Sequence, residues 1–375
     1  MEKVATLLAD LVAIPSMNPM GRRSGGPHYS EQAIADHIAS YLRKASVDVE
    51  MYDVSPSRPN VAGFVDTGSK ETLLLEAHLD TVHGEGMSVD PFKPIVKNGK
   101  LFGRGACDTK GSIAAFLHAV TSLLGSGKKL NKNIRFLFVS DEEYRFSGAE
   151  AAIRRGLRAT YGIAGEPTNL SVVRAHKGVT RWRITAKGIA AHSAFPDRGK
   201  NAIYLMAEVI KRIESYAVDL VRQKPHPLLG SATISVGVIE GGQAVNVVPD
   251  SCWIEIDRRS LPGETPESVV LPLKELLKDL GEVELAAPHI AVGGMEVPET
   301  SPITQMLAAA IRQTTGKAEI TSAPYATDAG AYNNAGIPTV VFGPGDIAQA
   351  HTDSEWISLD QLNQAVHIIQ NLVTS

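Results

Sequence analysis

The chain has 375 residues, 43% of them apolar and 21% charged, a globular composition too long for one ordinary core, so two domains are expected. A net charge of −4 gives no electrostatic footing for nucleic acid or for an anionic membrane. Two cysteines, Cys107 and Cys252, supply no disulfide framework, and no apolar run reaches the roughly 18 residues of a membrane span, so a cytoplasmic protein is expected.

The opening MEKVATLLADLVAIPS carries Glu2 and Asp10 within its apolar positions and reads as an amphipathic helix, not a signal peptide. GRRSGG, around residue 24, reads as a short flexible loop. Residues 30–45 repeat apolar positions every three or four and predict a second amphipathic helix. LLLEAHLD (73–80) and IRFLFVSDEE (134–143) are dense apolar runs ending in acids, as central strands covered on both faces would be. Between them, GSIAAFLHAVTSLLGSG predicts a helix opening at Gly111 and closing at the glycines after Leu124. Strands alternating with helices predict an α/β domain whose central, mostly parallel mixed sheet gathers polar residues at its strand ends.

From residue 178 the pattern changes. VTRWRITAKG, ATISVGVIEGG, NVVPDSCWIEIDRRS and VELAAPHI read as strands, with NAIYLMAEVIKRIESYA and PESVVLPLKELLKDL as helices among them. The order β-α-β-β-α-β is ferredoxin-like. SPITQMLAAAIRQTTG then restarts a helix, and IPTVVFGPG is another buried strand. The expected organisation is a discontinuous catalytic domain, 1–177 and 290–375, interrupted by an inserted α+β domain at 178–289.

Polar residues collect at the predicted strand ends: His78 and Asp80, Asp108, Glu142 and Glu143, Glu166, and His351. Two histidines with surplus carboxylates and no cysteine cluster suit two hard-to-borderline divalent ions. Residues i and i+2 share a strand face, so Asp80 is placed to orient His78 towards a metal. Neighbouring strand residues point to opposite sides, which allows Glu142 and Glu143 different tasks. Asp353 and Glu355 read as a helix start or solvated turn, and Asp328 as support for the His351 loop.

In their order along the chain, AHLDTV, GRGACDTKG, SDEE, GEPT, AAHSAFPDRGKNAI, GGQAVNVVPD with DRRSLPG, and AHTDSEW resemble the dinuclear-zinc aminoacylase and carboxypeptidase family, of acetylornithine deacetylase and succinyl-diaminopimelate desuccinylase type. GEPTNLSVVRAHKG and TVVFGPGDIAQAH are most similar to its acetylornithine deacetylase branch. The resemblance implies two zinc ions per subunit, with cobalt or manganese able to substitute: His78 and Glu166 on one, Glu143 and His351 on the other, Asp108 bridging. It implies hydrolysis of an N-acyl amino acid, with water activated between the metals and Glu142 as general acid/base. A desuccinylase or metallocarboxypeptidase is the alternative within the family, and a non-catalytic dimeric binding protein the alternative outside it. It further implies His192 as an oxyanion donor reaching a partner subunit's site, a homodimer built through the inserted domain, and substrate contacts from Asn246 and Arg258, Arg259 competing for the latter role. The peptide bond after Asp108 is often cis in this family. Thr109 stands where relatives often have methionine and His83 where a proline is usual; neither change removes a ligand.

Overall fold

The computed structural model describes residues 3–21, 26 and 28–375; most of the GRRSGG loop lies outside the described residues. The chain divides into two compact units, one of Met1–Arg174, Glu296–Thr321 and Thr327–Ser375, the other of Ala175–Met295 and Ser322–Ala326.

The first unit is built on a mixed sheet flanked by helices. Its strands include, side by side, Asp48–Ser55, Arg58–Val65, Asn133–Val139, Thr72–His78, Tyr161–Ala164 and Thr339–Val341. Thr72–His78 pairs in parallel with both Asn133–Val139 and Tyr161–Ala164, and Thr339–Val341 in parallel with the latter. Leu73, Leu74 and Leu75 are fully buried, which is why this segment reads as a continuous apolar run; each contributes roughly 1.5–3 kcal/mol of burial. The predicted helices form at Lys3–Val12, Gln32–Lys44 and Lys110–Gly125. Four parallel strands therefore release their C-terminal ends side by side, the edge at which such sheets carry ligand sites.

The second unit has the order β-α-β-β-α-β. Its antiparallel sheet runs Thr233–Gly241, Ser251–Ser260, Gly178–Lys187, Val283–Leu285, the ferredoxin-like arrangement. Strand Gly178–Lys187 alternates buried Trp182, Ile184 and Ala186 with solvent-facing Arg181 and Arg183, which pair across the sheet with Asp257 and Glu255. Helices Ala202–Arg222 and Pro266–Leu277 cover the buried face, capped by Asn201 and by a Thr265–Ser268 capping box.

Candidate metal centre

Every ligand predicted from the strand ends lies in the first unit. His78 ends one parallel strand, Glu142 and Glu143 follow Asn133–Val139, and Glu166 follows Tyr161–Ala164. The loop after Thr339–Val341 brings in His351, and Asp108 sits just before helix Lys110–Gly125.

Asp108 is the centre of the arrangement. Its Oδ1 lies 3.0 Å from His78 Nε2, and its Oδ2 lies 3.2 Å from His351 Nε2. Glu166 Oε1 is 3.8 Å from His78 Nε2, and Glu143 Oε2 is 3.0 Å from His351 Nε2. One carboxylate thus faces two imidazoles, each with a further carboxylate of its own. Ligand atoms of His78, Asp108 and Glu143 converge within 4.8 Å of one another, as do those of His78, Glu142 and Glu166. The Asp108–Thr109 peptide bond is cis.

The electrostatics fit divalent cations. Burial pushes Glu142 and Glu166 well above the ordinary carboxylate range; His78 offsets part of the rise and neighbouring carboxylates add to it. Burial would lower the His78 pKa, yet Asp108, Glu166 and Glu142 hold it well above the usual value. His351 is pushed up to about 10 by its hydrogen bonds to Asp108 and Glu143. Burial works to raise Asp108, but the two imidazoles outweigh it and keep its carboxyl low. So many acids drawing protons onto both imidazoles form a site short of positive charge, and an N/O donor set of this kind suits zinc, cobalt or manganese.

Asp80 acts differently from the expectation. His78 Nδ1 donates to the Asp80 backbone carbonyl at 2.8 Å, while the Asp80 carboxylate stands 3.8 Å away. That carboxylate instead accepts from the backbone N–H groups of Glu142 and Glu143, both at 3.1 Å. Asp80 therefore orients His78 through its main chain and holds the acidic turn through its side chain.

Behind this layer stand groups that the sequence did not single out. Asn18 Nδ2 donates to Asp80 at 2.7 Å and to Asp141 at 3.0 Å. Arg58 bridges Asp141 and buried Glu31. Asp141, at φ 69, is held in the left-handed region by Arg58, Asn18 and Ser147 immediately before Glu142. One expectation is corrected: Glu355 is no solvated turn. It is fully buried, paired with Arg104 and bonded to the backbone before Asp108. Asp328 is likewise buried, adjacent to Glu76, and burial pushes its carboxyl up to about 7.

Within the second unit, His192 and Asn246 come together. Strand Ala191–His192 pairs with Val247–Val248, and Ser193 N donates to the Asn246 carbonyl at 3.1 Å. Both residues are exposed. His192 Nδ1 accepts from Ala194 N, which leaves Nε2 as the N–H donor facing solvent. Arg258, by contrast, is 1% exposed and donates to Glu264 at 2.8 Å and to the Arg259 carbonyl. Arg259 is more exposed and pairs with Asp257.

Residues 74–375 match Peptidase family M20/M25/M40. The chain is similar to the acetylornithine deacetylase of Myxococcus xanthus, 33% identical with 99% of this chain and 98% of that one covered. The acetylornithine deacetylase of Pasteurella multocida (strain Pm70) is 31% identical, with 100% and 98% covered. Among solved structures, the M20 family metallo-carboxypeptidase Sso-CP2 from Sulfolobus solfataricus aligns with a TM-score of 0.83 at 19% identity, covering 100% of this chain and 99% of that one. The Bacillus subtilis protein YXEP, a dinuclear metal binding peptidase, aligns at 0.69 and 16% identity, with 99% and 97% covered. At these identities the structural likenesses concern the fold.

Proposed function

We propose, from the premise that the chain belongs to peptidase family M20/M25/M40 and is therefore an amide-bond hydrolase, that it removes the acyl group from an N-acyl amino acid, N-acetylornithine being the first substrate to try. The observation that carries this reading is Asp108 offering one carboxylate oxygen to each of two imidazoles. The full-length similarity to acetylornithine deacetylases supports the choice of substrate.

On this reading His78 and Glu166 hold one divalent ion and Glu143 and His351 the other, with Asp108 between them; zinc is the proposed metal, two per subunit. Such ions, when bound, acidify water and polarise the scissile carbonyl. Glu142 supplies the proton traffic. Its buried carboxylate accepts the proton of the attacking water and returns it to the departing amine nitrogen, one group serving as base and then acid. Burial raises the Glu142 carboxyl above the ordinary carboxylate range, a direction that suits a group required to take up a proton and then give it back. Asp80 positions Glu142 through its backbone N–H.

His192 is the proposed oxyanion donor, its exposed Nε2–H reaching the active site of a second copy. The dimer that this needs is proposed to form through the second unit. That unit exposes Tyr204 at 77%, with Ile203, Val245 and Val247 beside a cavity of about 800 Å³, an apolar surface of the kind that marks an interface. Asn246, adjacent to His192, is the proposed substrate contact. Arg258 would clamp a substrate carboxylate only by exchanging Glu264 for it. A cytoplasmic location fits this chemistry; among the described residues no helix is long and apolar enough to cross a membrane.

The deciding experiment is turnover of N-acetyl, N-succinyl and dipeptide substrates by zinc-reconstituted protein, with chelated protein as control. Metal-dependent cleavage favouring the N-acetyl amino acid is expected. Preference for the succinyl or dipeptide substrate would move the assignment to those chemistries, and no cleavage by a metal-loaded sample would end it.

A further inference from the structure

The Glu355 carboxylate is completely buried, and all four of its bonds run to the segment that delivers Asp108. Oε1 accepts from Cys107 N at 2.8 Å and Asp108 N at 3.0 Å; Oε2 accepts from Gly105 N at 3.0 Å and Arg104 Nη1 at 2.7 Å. Gly105, at φ +81, lets these N–H groups converge; a Cβ there would meet the Thr81 methyl at 2.8 Å. The result is a backbone nest filled by an internal anion. Arg104 extends the contact back to the other loop, donating to the carbonyl of Thr352 at 3.1 Å and to that of His83 at 3.0 Å. Thr352 follows His351 directly, and His351 itself sits at φ 62. Just outside these contacts, strand Trp356–Ser358 pairs with Lys100–Phe102, so the two loops leave a common ladder.

We propose that Glu355 is a positioning residue of the metal centre, tying the Asp108 loop to the His351 loop and thereby setting the distance between the two ligand sets. Burying a carboxylate is costly unless its lone pairs are filled, and an apolar side chain would fill the space more simply. Here the bonds are spent on the peptide groups that decide where the Asp108 side chain points. Ligand constellations tolerate only about 0.5 Å of drift, and partners behind metal ligands are typically worth 10–100-fold in affinity or rate. The inference rests on the two-ion reading of the site.

The test titrates cobalt(II) and zinc into chelator-stripped wild-type, Glu355→Gln and Arg104→Lys protein, following the cobalt absorption spectrum and the heat of binding. Circular dichroism and thermal melting report the fold, and kcat and KM are measured on the best substrate. Glu355→Gln sets an amide N–H₂ against backbone N–H donors. The folded variant is expected to lose about 10–100-fold in metal affinity and in kcat, with KM moving less than about 3-fold. Arg104→Lys keeps the carboxylate but loses the fork to Thr352 and His83; it covers the case of a Gln variant that does not fold, and an affinity loss of about 3-fold or more is expected. A folded variant matching wild type in both metal affinity and kcat overturns the role of Glu355 alone. Wild-type protein that takes up no metal overturns the metal-centre reading and this inference together.

Discussion

His78 Nδ1 lies 2.8 Å from the backbone carbonyl of Asp80. A carbonyl only accepts, so Nδ1 carries the proton and Nε2 faces Asp108, the tautomer that a metal ligand requires. The Asp80 side chain is freed for the turn at Glu142 and Glu143.

Asp80→Ala removes the acceptor for two backbone N–H groups and leaves the carbonyl behind His78 in place. A fall in kcat of about 10–100-fold is expected, with affinity for the first metal ion changing less. Equal losses in both would mean that the carboxylate governs His78 after all. Steady-state kinetics beside metal titration decides.

Glu142→Gln keeps the shape of the side chain and abolishes proton acceptance. Turnover is expected to drop by about 10²–10⁴-fold while metal stoichiometry stays at the wild-type value. Retained activity would assign the base to another residue; loss of metal would make Glu142 a ligand, a role its convergence with His78 and Glu166 allows.

Metal uptake is expected to stabilise the fold, because the clustered acids repel one another without it. At free zinc 100 times the dissociation constant, one site adds about 2.7 kcal/mol to unfolding, read as a rise in melting temperature over chelated protein. An unchanged melting temperature would argue against a folded-state metal site.

His176 gives a pH signature in the second unit. Burial holds its pKa at about 4, against an unfolded value of about 6.5. The folded imidazole therefore refuses a proton that the unfolded chain accepts. Its contribution to stability is intact above about pH 6.5 and drains as pH falls towards 4. Between pH 7.5 and 5 the wild type is expected to lose about 2 kcal/mol relative to His176→Gln, measured by urea unfolding at both pH values. A pH-independent difference would place the titrating group elsewhere.

Much of this cluster was legible in the order of residues, because its candidate ligands sit where local patterns stop. Leu73–Leu75 and the apolar run before Asp141 announce buried parallel strands, and the acids and His78 stand at their ends. Periodicity likewise announced the ferredoxin-like order of the second unit, since two-residue and 3.6-residue repeats are properties of adjacent residues.

Tertiary structure decided what those side chains hold. Asn18 meets Asp80 across 62 positions and Glu355 meets Asp108 across 247, separations over which no local spacing constrains contact. Arg258 turned inward to Glu264, and Asp80 bonded the Glu142 turn, because buried polar groups take whichever partner the packed chain brings within reach. Strand ends were written in the order of residues; the hydrogen-bond partners behind them came into existence only when distant loops were folded onto one sheet edge.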